Sequence, residues 1–429
     1  MHRRTPIAQP TRAVLAALTT AAVAALSFAG PTSAASAVSA TTGDEVPLSA
    51  TDRSVHDKLT LRALMTDLGP DLAGLVTDAA TGQVVWSQTP LEAQLPASNV
   101  KLVTAINALS TFGPTYRFTT RVVAGKTPNR VVLVGAGDPS LSTRQLGAMA
   151  RTVAATSLAA GVPRVRLLVD DSLFATPTMA TGWRSSYYRA QDVSPVRALV
   201  VDQHVSADTA LDAGLVFAKR LKRWGLTVSG VGHTKHLPTA AVLAESQGVD
   251  LATQVVTMLQ LSDNDTAEAL HRLVALQTGF PATWDGAAQA QVAALAKLGL
   301  TLTGRLYDGS GLSRADRLTA TDLLTVLGKT FDPAHPELAG LQQGALPLAG
   351  VTGTLGPRYL RYQTGPSACA AGLVQAKTGS LSGAIALTGY AQNLDGTVKL
   401  FSFLLNGVPS TLRTRRAVDK LAATVTGCW

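Results

Sequence analysis

Apolar residues recur at two periods along the chain, and the alternation between them sets out its elements. Val55, Leu59, Leu64, Met65 and Leu68 recur at helical spacing, which predicts a first helix. "LAGLVTDAATGQVVWSQ" then reads as two strands around a turn at Thr81-Gly82. Pro96 ends the approach to a second helix that starts at Ser98 in "LPASNVKLVTAINAL". From about Tyr116 to Val231 the texture changes to short β-like runs punctuated by Gly and Pro: "YRFTTRVVAG", "RVVLVGAGDPS", "RVRLLVDDS" and "RALVVDQHVS". One helix-like run, "TRQLGAMARTVAATSLAA", lies among them. Long helical patterns return from Leu251 in "LATQVVTMLQLSDNDTAEALHRLVALQ" and "WDGAAQAQVAALAKLGL". The chain closes with strand-like "GLVQAKTGSLSGAIALTGYAQ" and "KLFSFLLNG", then a helix near "LRTRRAVDKLAATV". These elements predict an α+β scaffold in which N-terminal and C-terminal strands share one sheet, with helices packed against it. An insertion, mostly β or α/β, separates the two halves. The expected divisions are 51–115 and 235–429 for the scaffold and 116–234 for the inserted accessory domain.

The N-terminus changes the picture. Arg3, Arg4 and Arg12 precede the uncharged apolar run "AVLAALTTAAVAALSFAG" and the small residues "PTSAASA". This is the pattern of a secretory signal, assigned to residues 1–37, with 38–50 as a Ser/Thr/Ala-rich linker. The alternative is an uncleaved anchor, since about 18 apolar residues just span a bilayer. No later run is long enough to do so, so membrane contact is expected to be peripheral or absent. The formal charge of +9 falls to +6 once Arg3, Arg4 and Arg12 are removed, which suits a soluble export or attraction to an anionic polymer such as a cell wall. The basic residues are scattered and not interleaved with aromatics, which argues against nucleic acid. Cys369 and Cys428 form a pair that an exported chain can oxidise. Two cysteines so far apart make no zinc site, and the seven histidines show no HExxH-like spacing.

The candidate chemistry sits in three short stretches. Ser98 and Lys101, three residues apart, share one helical face among Val100, Leu102, Val103 and Ile106. A serine hydroxyl needs a base within reach, and a lysine serves if burial lowers its pKa. On its own, this spacing is as readily a capping serine followed by a surface lysine. Ser262, Asp263 and Asn264 close one apolar helical run and open another, where polar residues face a cleft or simply cap a helix. Lys377-Thr378-Gly379 lies inside a strand-like run, where Gly379 would let a substrate backbone approach. Neighbouring Lys377 and Thr378 point to opposite faces unless the strand twists, and polar residues there also suit a protected edge strand.

Together, in the order SxxK, SxN and KTG, the three stretches resemble the signature of penicillin-binding proteins and class A β-lactamases. The chain is similar to the peptidase S13 family, the D-Ala-D-Ala carboxypeptidases of the penicillin-binding protein 4 type, from about residue 50 to its end. "LPASNVKLVTAINAL", "GAGDPSLS", "LVDDSLF", "YDGSGLSR" and "LPLAGVTGTL" carry the likeness. So does the spacing of about 160 residues between Ser98 and Ser262. The resemblance implies a serine β-lactamase/penicillin-binding transpeptidase-like domain, an antiparallel sheet with helices on both faces. It implies Ser98 as acylated nucleophile, Lys101 as its base, Ser262 as proton relay and Asn264 as a support for Lys101 and the substrate amide. Lys377, Thr378 and Ser380 would receive the substrate carboxylate, and the backbone N–H groups of Ser98 and Ser380 would form the oxyanion hole. Arg358 is a further residue that would face the substrate. The implied partners are peptidoglycan stem peptides ending in D-Ala-D-Ala, with β-lactams as covalent inhibitors; no metal or organic cofactor is expected. Competing readings are a serine β-lactamase, for which no glutamate stands in the expected context, and a non-catalytic wall-binding protein that kept the scaffold. A Ser-His-Asp hydrolase lacks its GxSxG, since "GSLSG" misses that spacing.

Overall fold

The structure, a computed structural model, describes residues 47–69 and 71–428. The signal and most of the linker expected from the sequence lie outside the described residues. In chain order the elements are α1 (Ala50–Ala63), β1 (Asp71–Asp78), β2 (Val84–Gln88), α2 (Val100–Phe112), β3 (Thr119–Ala124), β4 (Arg130–Val134), α3 (Thr143–Ala159) and β5 (Arg164–Asp170). There follow α4 (Ser186–Arg189), α5 (Thr209–Arg223), β6 (Thr227–His233), β7 (Val242–Gln247), α6 (Leu251–Leu261), α7 (Asn264–Gln277), α8 (Trp284–Lys297) and α9 (Ala320–Gly328). The last are β8 (Val374–Leu381), β9 (Ala384–Gln392), β10 (Val398–Asn406) and α10 (Leu412–Val425). No described helix is long and apolar enough to cross a membrane.

The first sheet runs β2-β1-β10-β9-β8, with every neighbour antiparallel. Strands from the two ends of the chain meet where Leu75 pairs with Ser402 and Leu404 with Ala73. The sheet is covered on both faces, which is why β9 and β10 read as nearly continuous apolar runs rather than alternating ones. Leu400 and Leu404 join one core with α2 and α6–α9, while Phe401, Phe403 and Leu405 join the other with α1 and α10. Helix α2 is buried along almost its whole circumference, from Val100 to Leu109. A helix apolar all round belongs at the centre of its layer, and α2 contacts α6, α7, α8 and α9.

The second sheet runs β6-β5-β4-β3-β7 and is mixed: β4–β5–β6 are parallel, while β3 is antiparallel to β4 and to β7. Helices α3 and α5 fill the crossovers and pack on Val131, Leu133, Val165 and Leu167 in a core of their own. Three expectations are corrected here. The run "RALVVDQHVS" is no strand. Ala198, Leu199 and Val201 are buried as loop residues, and the Ala198 carbonyl accepts from the Gly137 amide at 2.8 Å; short apolar runs carry no period that separates these outcomes. Second, α5 is a helix where only one helix-like run was expected; Asp208 caps it, accepting from the Leu211 amide, and Ala210, Ala213, Phe217 and Leu221 form its buried stripe. Third, the sheet continues past residue 234 to take in β7, a short strand with no fully buried residue and hence no strong period. The segment between β5 and α5 also leaves the second sheet: Phe174, Trp183, Tyr187 and Val196 pack in the core around α2 and α7.

Helix α1 stops at Ala63, short of the span predicted from Leu64 and Met65, both of which are exposed. Leu68 is buried from the following 3-10 turn. Cys369 and Cys428 are bonded, which fixes the tail after α10 to the body across a separation of 59 residues. Loop closure of that length is worth up to about 4 kcal/mol in the chain-entropy account. The Cys369→Ser/Cys428→Ser double variant is therefore expected to unfold at lower denaturant concentration, by about 2–4 kcal/mol in equilibrium titrations.

Candidate active site

The three candidate stretches converge where the start of α2, the α6–α7 junction and β8 meet. Ser98 does not lie on α2 as predicted. It is the middle residue of a 3-10 turn, Ala97–Asn99, and Lys101 sits in the first turn of the α-helix that follows. Residues i and i+3 eclipse in 3-10 geometry, and the Lys101 Nζ donates to Ser98 Oγ at 3.1 Å. Nor does Ser98 cap α2: the residue at the cap position is Asn99, whose Nδ2 instead donates to Thr388 Oγ1 at 3.2 Å. Thr388 shares a hydrogen bond with Ser402 at 2.9 Å, so the turn is tied to the middle strands β9 and β10.

Backbone geometry holds the turn. Ala97 has φ +47°, in the left-handed region that non-glycine residues rarely occupy. Its carbonyl presses on Gly311, where an added Cβ would lie 1.9 Å from that oxygen. Gly311 is itself at φ +81°, so two separate constraints require glycine there. Gly379 serves the same turn from the other side: a Cβ there would meet the Pro96 carbonyl at 2.8 Å and Ala97 Cβ at 3.1 Å. The close approach at Gly379 is thus to the chain's own turn.

Lys101 is fully buried, and its Nζ makes three hydrogen bonds: to Ser98 Oγ, to Asn264 Oδ1 at 2.7 Å and to the Ser310 carbonyl at 2.6 Å. Burial drives its pKa down to about 8, against the opposing pull of Asp308, Glu268, Asp263 and Asp265. Asn264 spends an N–H on the Asp192 carbonyl at 2.8 Å, which brings the segment before α5 to the site. Ser262 closes α6 in a left-handed conformation, φ +56°, while Asp263 next to it caps α7 by accepting from the Thr266 amide at 2.7 Å. The capping duty thus falls on Asp263 and leaves the Ser262 hydroxyl to Lys377, whose Nζ donates to it at 2.9 Å. Lys377 is also fully buried, and burial, with the Lys101 charge second, holds its pKa well below the ordinary lysine value.

Thr378 turns to Thr354, with 2.7 Å between the hydroxyls, and Ser380 is exposed on the same strand. Arg358 is exposed on the turn Pro357–Tyr359 and takes part in none of the site's hydrogen bonds among the described residues. No group of three or more His, Cys, Asp or Glu residues among the described residues is placed to hold a metal ion.

Sequence reasoning gave no role to the floor of the site. The stretch Tyr307–Arg314 folds into a buried loop whose Ser310 carbonyl holds Lys101. Asp308 accepts from the Gly311 amide, the Ser313 amide and Trp183 Nε1, each at 2.7 Å. Glu268, one helical turn beyond Asn264, accepts from the Gly309 and Ser310 amides. Its sequence signals were "YDGSGLSR" itself, one of the stretches that carry the family likeness, and a glutamate four residues after Asn264.

A sequence model of the D-Ala-D-Ala carboxypeptidase 3 (S13) family matches residues 56–207 and 203–426. The chain is 36% identical over 385 residues to a carboxypeptidase of Mycobacterium tuberculosis, covering 84% of this chain and 81% of that one. It is 35% identical over 399 residues to the carboxypeptidase DacB of Mycolicibacterium smegmatis, covering 86% and 85%. Penicillin-binding protein 4 of Haemophilus influenzae superposes with a TM-score of 0.70 at 21% identity, over 84% of this chain and 98% of that one, a likeness of fold. The paired cores on one antiparallel sheet and the match along nearly the whole described chain lead to one assignment: the chain belongs to the D-Ala-D-Ala carboxypeptidase (S13) family.

Proposed function

We propose that this serine carboxypeptidase trims peptidoglycan stem peptides ending in D-Ala-D-Ala through an acyl-enzyme on Ser98. The observation that carries the reading is a buried amine, held to about pKa 8, hydrogen-bonded to that hydroxyl at 3.1 Å. Neutral Lys101 takes the Ser98 proton as Oγ attacks the carbonyl carbon of the penultimate D-Ala. The negative oxygen of the tetrahedral intermediate rests on the Ser98 and Ser380 backbone N–H groups. The C–N bond then breaks, the proton that Lys101 took passes through Ser262 to the leaving amine, and D-Ala departs. Water enters and attacks the ester as Lys101 takes its proton; the C–O bond breaks and Lys101 returns that proton to Ser98 Oγ.

Lys377 and Thr378 receive the substrate's terminal carboxylate, and Asn264 fixes Lys101 in line with Ser98. A β-lactam opens on the same hydroxyl and stays there as a slow ester. The same chemistry applied to a cross-link makes the enzyme an endopeptidase as well. The N-terminal pattern and the Cys369–Cys428 bond support an extracytoplasmic setting. The scaffold of residues 51–115 and about 249–429 is proposed as the catalytic domain, with the second sheet as its accessory module.

Incubation with muropeptides from a diaminopimelate-type wall, with products identified by mass, tests the reading. Loss of one alanine from pentapeptide stems is the expected result. Unchanged pentapeptides under conditions where penicillin labels the protein would refute it.

A further inference from the structure

Glu268 and Asp308 are fully buried carboxyls beside the Lys101 amine, and the acylation steps use neither. Glu268 is 0% exposed, and it lies on the face of α7 that carries Asn264. Its Oε1 accepts from the Ser310 amide at 2.8 Å, and its two oxygens share the Gly309 amide at 3.2 and 3.1 Å. Ser310 in turn gives its carbonyl to Lys101 Nζ at 2.6 Å. The Gly311 amide, in the same peptide group as that carbonyl, donates to Asp308 Oδ1 at 2.7 Å. On the far side, Thr104, one turn along α2 from Lys101, donates to the Gly309 carbonyl at 2.6 Å. The loop is thus pinned between α2 and α7, and its Ser310 carbonyl ends on the Lys101 amine.

Resting on the Ser98–Lys101 reading, we infer that Glu268 is a positioning residue of the acylation step. Its carboxylate aims the Ser310 carbonyl at Lys101 and sets, by its buried negative charge, the pH at which that amine becomes a base. Glu268 is not a water-activating base, because it is closed off from solvent and both its oxygens are bound to loop amides.

Tyr188, on α4, faces Glu268: burial, and after it the Glu268 charge, push its phenol up. Asp263 and Asp265 face Lys101 from the start of α7, Asp308 and Asp316 belong to the loop and its flank, and Lys377 faces it from β8. Along α7 itself, His271 is neutral, its pKa driven down to about 3 by burial and by Arg272. Arg272 stacks on Trp284, 3.9 Å from the ring centroid, and partly offsets Glu268. Burial, with Asp308 adding to it, raises Glu268 to about 8, the range in which Lys101 also titrates. The Glu268 charge is one of the causes that raise Lys101, so an acylation limb that depends on both groups is broader than a single ionisation.

The test is the rate of Ser98 acylation by a fluorescent penicillin, measured from pH 5 to 10 on the full chain. Wild type should show a broad rising limb. Glu268→Gln keeps the shape and loses the charge; its rising limb should move about one unit to lower pH and steepen toward a single ionisation. Glu268→Asp keeps the charge on a shorter arm; it should hold the wild-type midpoint while its plateau rate falls about tenfold or more. A Glu268→Gln profile with the wild-type midpoint, whatever its height, would overturn the inference. If that variant does not fold, a Glu268→Asp profile with a displaced midpoint or an undiminished plateau overturns it equally. A wild-type protein that fails to label at Ser98 would instead refute the reading on which the inference stands.

Discussion

Ser98→Ala is expected to abolish both release of D-Ala from stem peptides and covalent labelling by fluorescent penicillin, with the fold unchanged. The Oγ atom is the only atom of that residue removed, and the turn that carries it is held by other residues: Asn99 to Thr388, Ala97 against Gly311, and Gly379 beneath. Lys101 keeps two of its three hydrogen bonds, to Asn264 and Ser310, so the buried amine stays paired. The loss should therefore be of chemistry alone. Removing a nucleophile leaves no covalent route, so hydrolysis should fall to the limit of detection, at least about 10⁴-fold. Far- and near-ultraviolet circular dichroism matching wild type would show that the fold survives. Labelling that persists in the variant would place the nucleophile elsewhere.

The second large effect is that of Lys101. Lys101→Met preserves most of the side-chain volume in a site with no exposure and removes the amine. General-base assistance is worth about 10²–10⁴-fold, and acylation should slow by that amount. Its pH dependence should change as well. With the wild-type amine near pKa 8, the base form is scarce below that value, and the rate should rise with pH before levelling off. In Lys101→Met this limb should disappear. The Lys377 ammonium should also become easier to form, because the Lys101 charge is one of the causes that lower it. Stopped-flow acylation across pH 5–10 measures both effects. A variant with the wild-type rate, or with the wild-type limb intact, would remove Lys101 from the mechanism.

Much of this site was legible before the fold was known, because its chemistry depends on residue type at short spacing. Ser98 and Lys101, Ser262 and Asn264, and Lys377 through Ser380 were all readable as three motifs. What brings them together was not. The turn at Ala97 requires a glycine more than two hundred residues away, at Gly311, and no local pattern connects the two. Glu268 looked like one more polar residue on an amphipathic helix; only the folded loop shows that it meets two amides and faces an amine. Gly379 was marked as a place of close approach, and in the fold the nucleophile's own turn lies against it. In the inserted region, "RALVV" carried strand-like residues into a buried loop, because Ala198 is buried in the core around α2 and Leu199 and Val201 in the core of the second sheet, without strand pairing. The α5 stripe, by contrast, had a helical period and a capping Asp208, yet the sequence reading took only one helix-like run there.

The central claim is that one hydroxyl, Ser98 Oγ, becomes esterified during turnover. The direct measurement is to quench the reaction of the full chain with benzylpenicillin, digest it, and locate the mass increase by tandem spectrometry. The account predicts a single penicilloyl adduct on the peptide containing Ser98, formed one per chain. An adduct on any other residue, or none at all while the β-lactam is consumed, would contradict it.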